Sequence, residues 1–327
     1  MFSMTSCASM HLICGGTQKL HPHPKTYVAA RAPHPIQITG EMSDPAWEAA
    51  PWSDAFQDIE GEKNPAPRHE TRVKMLWDDT YFYFAAMLEE PHLWATLTEH
   101  DSIIYRDNDF EIFIDPDGDN LNYYEWEVNA FGTTFDLFMA KPYRAGGTND
   151  NSWETPGIQL AIGLDGTLND PSDTDTGWCV EAAFPWTSFD RHAGGGVAPQ
   201  VGDQWRVNFS RVQWDLEIEG DSYEKIPDKP EHNWVWSHQE RIDMHCPWTW
   251  GYVQFEESAE AAFRPDPDHE VRMQLAQMYW RQWEHHQQHG AYDAGLCELT
   301  ESGFLYQLSA PSGKILTINE DSAILPL

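Results

Sequence analysis

The acidic pairs Asp109/Glu111 and Glu125/Glu127 stand on either side of the run Asp115-Pro116-Asp117-Gly118-Asp119-Asn120. Residues i and i+2 of a strand share a face, about 6.5–7 Å apart along the backbone. That spacing falls within the ~5–9.5 Å over which two carboxylates hydrolyse a glycosidic bond. Glu111 with Asp109 or Glu127 could therefore form a glycoside hydrolase pair; the plainer alternative is a solvated or ion-paired strand face. Just upstream, Tyr105-Arg106-Asp107-Asn108-Asp109 sets a ring beside carboxylate, amide and guanidinium groups. Sugars offer C–H faces to rings and hydroxyls to such polar groups. The stretch reads either as a sugar site or as a polar turn before a strand.

Other residue groups could hold metals. Asp115, Asp117 and Asp119, or the acids between Asp165 and Asp175, are hard oxygen donors of the kind Ca²⁺ takes. The first set imitates an EF-hand, but its glycine comes at the fourth place and Trp126 stands where the bidentate Glu should be, so a hairpin turn is the first expectation. His285 and His289 have the i, i+4 spacing of a chelating pair, and also of a solvated face that suits a helix C-terminus. Met244-His245 could flank a haem, although no CxxCH accompanies it. The five cysteines form no CxxC, which argues against a zinc site built on cysteine.

Positioning these groups falls to strands. Segments 71–77 and 81–88 flank the turn Asp78-Asp79-Thr80, and 110–115 and 123–129 flank PDGDN. Segments 133–140, 158–164, 178–184, 205–214 and 251–255 continue the series, with a short helical turn at 91–97. About ten strands imply an all-β fold, a two-sheet antiparallel sandwich of jelly-roll or immunoglobulin-like type over 26–262. Residues 1–25 form a disordered or targeting tail. After Arg264 a helix is expected, started by Asp266, Pro267 and Asp268 and ended by Gly290. Its stripe of Val271, Leu275, Met278, Tyr279 and Trp283 should lie on the sandwich, followed by strands at 304–308 and 314–319, so that 263–327 is an extension packed on the main fold.

Sixteen Trp, 12 Tyr and 15 Phe exceed what a core needs, so some rings should meet solvent or ligand. Trp94 is expected in the core. Of Trp234, Trp236, Trp248 and Trp250, Trp248 is expected to be the most exposed. The formal charge of −33 repels nucleic acid and anionic lipid. No apolar run reaches 18 residues, so no membrane-spanning helix is expected, and Met1–Gly16 lacks the basic region of a secretory signal.

The ordered segments ITGEMSDPAW (38–47), VKMLWDDTYFYFAAM (73–87), YRDNDFEIFIDPDGD (105–119), GWCVEAAFPWTSF (177–189), WVWS (234–237) and GYVQF (251–255) are similar to the family 9 carbohydrate-binding modules. The resemblance covers about 30–255. It implies a β-sandwich that grips sugar ends between two rings and catalyses nothing. It places the first stacking ring at Tyr105, the hydroxyl-binding carboxylate at Glu111 and an amide at Asn208. The family's Arg falls at Glu127, its second stacking Trp near Met244, and an Asn near Arg241, so a Glu127–Arg241 pair could restore the lost charge. Ligand contacts are thus expected from Tyr105, Arg106, Glu111, Glu127, Asn208, Arg241, Met244 and Trp248. The resemblance further implies an oligo- or polysaccharide ligand, a partner glycoside hydrolase, an extracellular or cell-surface location, and no cofactor beyond structural Ca²⁺.

Overall fold

A computed structural model describes residues 23–327, so the expected N-terminal tail lies almost wholly outside the described residues. Hydrogen bonds join thirteen strands into one mixed sheet. Its main path runs Asn149–Asp150, Thr134–Met139, Tyr123–Asn129, Asp109–Asp115, Gln204–Gln213, Gly251–Glu256, Thr26–Arg31, Thr71–Trp77, Tyr81–Glu89, Gly177–Pro185 and Gln159–Asp165. His232–Val235 branches from Gln204–Gln213 and pairs with Gln57–Asp58. The path curls until its halves face each other. Phe84 from one half lies 5.9 Å from Phe110 and 5.6 Å from Phe209 of the other. The fold is mostly β and sandwich-like, with a single long helix.

One expectation changes here. Two antiparallel sheets were expected; one continuous sheet is found, and two of its pairings are parallel. Thr26–Arg31 runs parallel to both Gly251–Glu256 and Thr71–Trp77. This first strand, absent from the sequence-based series, closes the gap between the halves. Nor is 91–97 helical. Its amides are instead held by side chains: Leu93 N donates to Asp175 at 2.8 Å, Ala95 N to Asn169 at 3.0 Å and Thr96 N to Asp107 at 2.7 Å.

The helix spans His269–His289 and ends on Gly290 at φ 69°, a left-handed conformation that glycine adopts without a Cβ penalty. Val271, Leu275, Met278 and Tyr279 are buried as the spacing predicts, and Trp283 is half-buried. They pack less on the main sheet than on a second small core. That core joins the helix to Phe304, Leu316, Ile318 and Ile324 of a four-stranded sheet, and to Cys246 and Trp248. The small sheet is tied to the 115–120 turn by Ile324 N donating to Asp119 O (3.0 Å) and Asn120 Nδ2 donating to Ser322 O (2.9 Å).

Candidate functional site

Strand alternation sorts the central hairpin into two faces. Phe110, Ile112 and Ile114, with Tyr124, Trp126 and Val128, enter the main core. Asp109, Glu111, Glu125 and Glu127 consequently share the other face. Register then sets Glu111 opposite Glu127, and Ser210 of the next strand opposite Glu111. This face is not open sheet. Ile104, Phe113, Tyr123, Phe135, Leu137, Met139 and Trp250 build an apolar cluster on it, and all four carboxylates are buried.

Oxygens of Asp109, Glu111 and Glu127 lie within 4.8 Å of one another. Burial raises the Glu111 carboxyl to about 7, with Glu231 adding to it. Asp109, Glu125 and Glu127 are pushed well above the usual carboxylate range, again by burial first and then by the charge of Glu111. Among the described residues no Lys or Arg forms an ion pair with any of the four; the nearest base is His245, with Nε2 3.9 Å from Glu125. Burial depresses that imidazole to about 4, so it is neutral at pH 7 and contributes no charge.

Two rings rise around this acidic floor. The 3₁₀ turn Ile104–Arg106 presents Tyr105, 42% exposed. The turn is fixed at both sides: Tyr105 N donates to Glu127 Oε2 at 3.1 Å, and Trp214 Nε1 donates to Tyr105 O at 2.9 Å. The 3₁₀ turn Tyr143–Ala145 presents Tyr143, 45% exposed, its ring edge-on to His245 at 4.6 Å. The Tyr143 hydroxyl is raised to about 12, first by burial and then by Glu125, Glu127 and Tyr105; His245, in contact with the Tyr143 ring, reaches to 3.9 Å from Glu125. Sequence reasoning missed Tyr143. Its only signal was a ring in Pro142-Tyr143-Arg144, a turn directly after a strand.

The structure thus brings Tyr105, Glu111 and Glu127 together and separates other expected contacts from them. Asn208 lies on the same face but is fully buried and doubly bonded to Ser237, donating to its carbonyl and accepting from its N–H, each at 2.9 Å. It holds the 237–250 loop rather than meeting a ligand. Arg241 stacks on Trp280 at 3.6 Å and makes no pair with Glu127. Met244 packs on the Phe113/Trp250 cluster. Trp248 is 6% exposed, covered by Tyr279 and Trp280 of the helix, with the Arg144 guanidinium 4.8 Å from its ring. Trp248 is the most exposed of the four tryptophans, as expected, but all four are buried, and the extension takes the Trp248 ring into its own core. Arg106 is exposed beside Tyr105, and Trp94 is buried as expected.

The chemical alternatives also find their places. Asp109 is fully buried, and Glu111 and Glu127 of the candidate carboxylate pairs are buried beside it. His245 is enclosed by Phe113, Tyr123 and Tyr143 and bonds the Tyr123 hydroxyl at 3.0 Å, which leaves no plane for a haem. The His285 and His289 rings lie 4.4 Å apart, tilted at 49°, with His285 Nδ1 2.7 Å from Ala291 O. Asp115, Asp117 and Asp119 do converge within 4.8 Å. However, Asp115 accepts from Gly118 N and Asn120 N, and Asp119 from Leu121 N, so their carboxylates already serve the turn.

Residues 38–223, more than half of the chain, match the family model described as carbohydrate family 9 binding domain-like. The chain belongs to this family. The matched region is accordingly a carbohydrate-binding domain of the family 9 type. Among solved structures, a putative carbohydrate-binding protein from Bacteroides uniformis has the same fold, with TM-score 0.53 and 20% identity over 71% of this chain and 99% of that one. A family 9 module from Caldicellulosiruptor kristjanssonii, solved with cellotriose, gives TM-score 0.47 and 16% identity over 74% of this chain and 99% of that one. In sequence, 116 residues (36% of the chain) are 30% identical to exoglucanase XynX of Acetivibrio thermocellus, and 115 residues (35%) are 30% identical to endo-1,4-beta-xylanase A of Thermoanaerobacterium saccharolyticum. The aligned parts span only 9% and 8% of those enzymes.

Proposed function

We propose that the family 9 domain holds a glycan through the patch bounded by Tyr105 and Tyr143, with Glu111 and Glu127 accepting hydrogen bonds from sugar hydroxyls. The observation carrying this is the pairing of two exposed rings beside the buried carboxylates, Tyr105 bonded through its amide to Glu127 and Tyr143 in contact with His245 next to Glu125. Tyr143 takes the second-ring role that sequence correspondence assigned near Met244. Arg106, exposed beside Tyr105, lies where it can donate to a ring oxygen or hydroxyl.

The ligand is an oligo- or polysaccharide. The exoglucanase and the xylanase that the chain partly matches support a glucan or xylan ligand and work beside a glycoside hydrolase, at the cell surface or outside the cell. Stacking is worth about 0.5–1.5 kcal/mol per ring beyond area burial, so a single site binds weakly and gains from avidity. Titration calorimetry with cello- and xylo-oligosaccharides tests this. Tyr105→Ala should remain folded and lose at least about tenfold in affinity, ~1.4 kcal/mol. Undiminished binding by that variant would move the site elsewhere.

A further inference from the structure

We infer that Asp109, Glu111 and Glu127 form a divalent-cation site of calcium type beneath the sugar-facing patch. Their oxygens lie within 4.8 Å of one another, a span that one ion seated about 2.3–2.6 Å from each oxygen can bridge. A donor set made only of carboxylates selects hard cations over thiophilic ones.

A second observation points the same way. Asp109 Oδ2 and Glu125 Oε2 are enclosed atoms without a hydrogen-bond partner, on residues more than nine-tenths buried. Buried acceptors are ordinarily satisfied, and leaving one bare is costly. Asp109 is held in place because Oδ1 accepts from Val212 N at 3.1 Å, which leaves Oδ2 to the cluster. No Lys or Arg among the described residues forms an ion pair with these acids, so a bound cation would take the place of the protons that burial otherwise keeps on them. The turn triad of Asp115, Asp117 and Asp119 differs on this point, because both Asp115 oxygens accept backbone amides and none of the three residues has an enclosed oxygen without a partner.

The site reaches the rings through one bond. Glu127 Oε2 accepts from Tyr105 N, so an ion that orients Glu127 also steadies the turn carrying the exposed ring. Cation binding itself stands independently of the sugar assignment; only this coupling joins the two.

The test uses the full chain stripped with EDTA and titrated with CaCl₂ in a calorimeter, with thermal unfolding in parallel. One Ca²⁺ per chain and a rise in Tm of several degrees are expected. Asp109→Asn and Glu127→Gln should each weaken Ca²⁺ at least about tenfold, while Asp117→Asn leaves it unchanged. Both amide variants match the size of the protonated acids they replace, so without calcium they should be at least as stable as the wild type, which separates lost binding from lost folding. Absence of any response to Ca²⁺ in the wild type, or loss confined to Asp117→Asn, would overturn the site. Glucosamine hydrochloride is titrated alongside; heat from it without a response to Ca²⁺ would give the carboxylates to an ammonium group instead. Calcium binding without any glycan binding would sink the sugar assignment and leave the metal site standing.

Discussion

Burial sets the protonation of the site's acids, and that makes stability depend on pH. Glu111 titrates at about 7 in the folded chain, against roughly 4.3 when unfolded. A raised carboxyl binds its proton more tightly in the folded state. Its contribution is full below about 4.3 and is lost as pH rises through about 7. Asp109, Glu125 and Glu127 act in the same direction. His245 opposes them: depressed to about 4, it favours folding above ~6.5 and loses that contribution as pH falls toward 4. Four carboxyls outweigh one imidazole, so in EDTA the urea midpoint should fall between pH 5 and pH 7.5, and Glu111→Gln should flatten the slope. A midpoint rising over that interval would show that the acids are ionised and paired. At this scale the sequence was half legible. Tyr105 and Glu111 were found because they precede and occupy a well-marked strand. Tyr143 was not, because its nearness to Glu125 and Glu127 is set by where a loop folds back, which no local spacing encodes.

Secondary structure was legible where turn chemistry and periodicity agree. The Asp115–Asn120 turn and the alternation on either side fixed the hairpin, and with it the Glu111–Glu127 register. Thr26–Arg31 escaped notice because six residues with two adjacent alanines carry little alternation, and its partners lie 45 and more than 200 residues away. The helix was found by its stripe, yet its partner was misjudged, since a stripe says that a face is buried and not against what. Leu275, fully buried in the small core, measures the strength of that union. Leu275→Ala should cost about 2–5 kcal/mol in the unfolding of the extension. Fluorescence should report it, because Trp248 and Trp280 lie in the same contact. Unfolding that matches the wild type would mean that the helix is held by something other than this core. A buried ion pair, Arg211 to Glu90 at 2.9 Å, joins the halves of the curled sheet.

Across the whole molecule, 53 acidic residues against 20 basic ones give a surface that excludes polyanions and leaves neutral chains unaffected. Affinity for a neutral oligosaccharide should therefore change less than about twofold between 50 and 500 mM NaCl at fixed calcium, a range over which Debye screening varies several-fold. A steep decline with salt, seen by calorimetry, would indicate a charged glycan. The extension closes over Trp248 and braces the Asp115–Asn120 turn, yet leaves Tyr105 and Tyr143 exposed. Trp52 and Met87 are also exposed, beside a groove of about 770 Å³ near Arg72 and Leu164, and offer the rival seat for a sugar. A crystal structure of the full chain with a cello- or xylo-oligosaccharide decides between them. The terminal sugar should lie between Tyr105 and Tyr143 with its hydroxyls on Glu111; a ring stacked on Trp52 instead, with the tyrosines bare, would contradict the assignment.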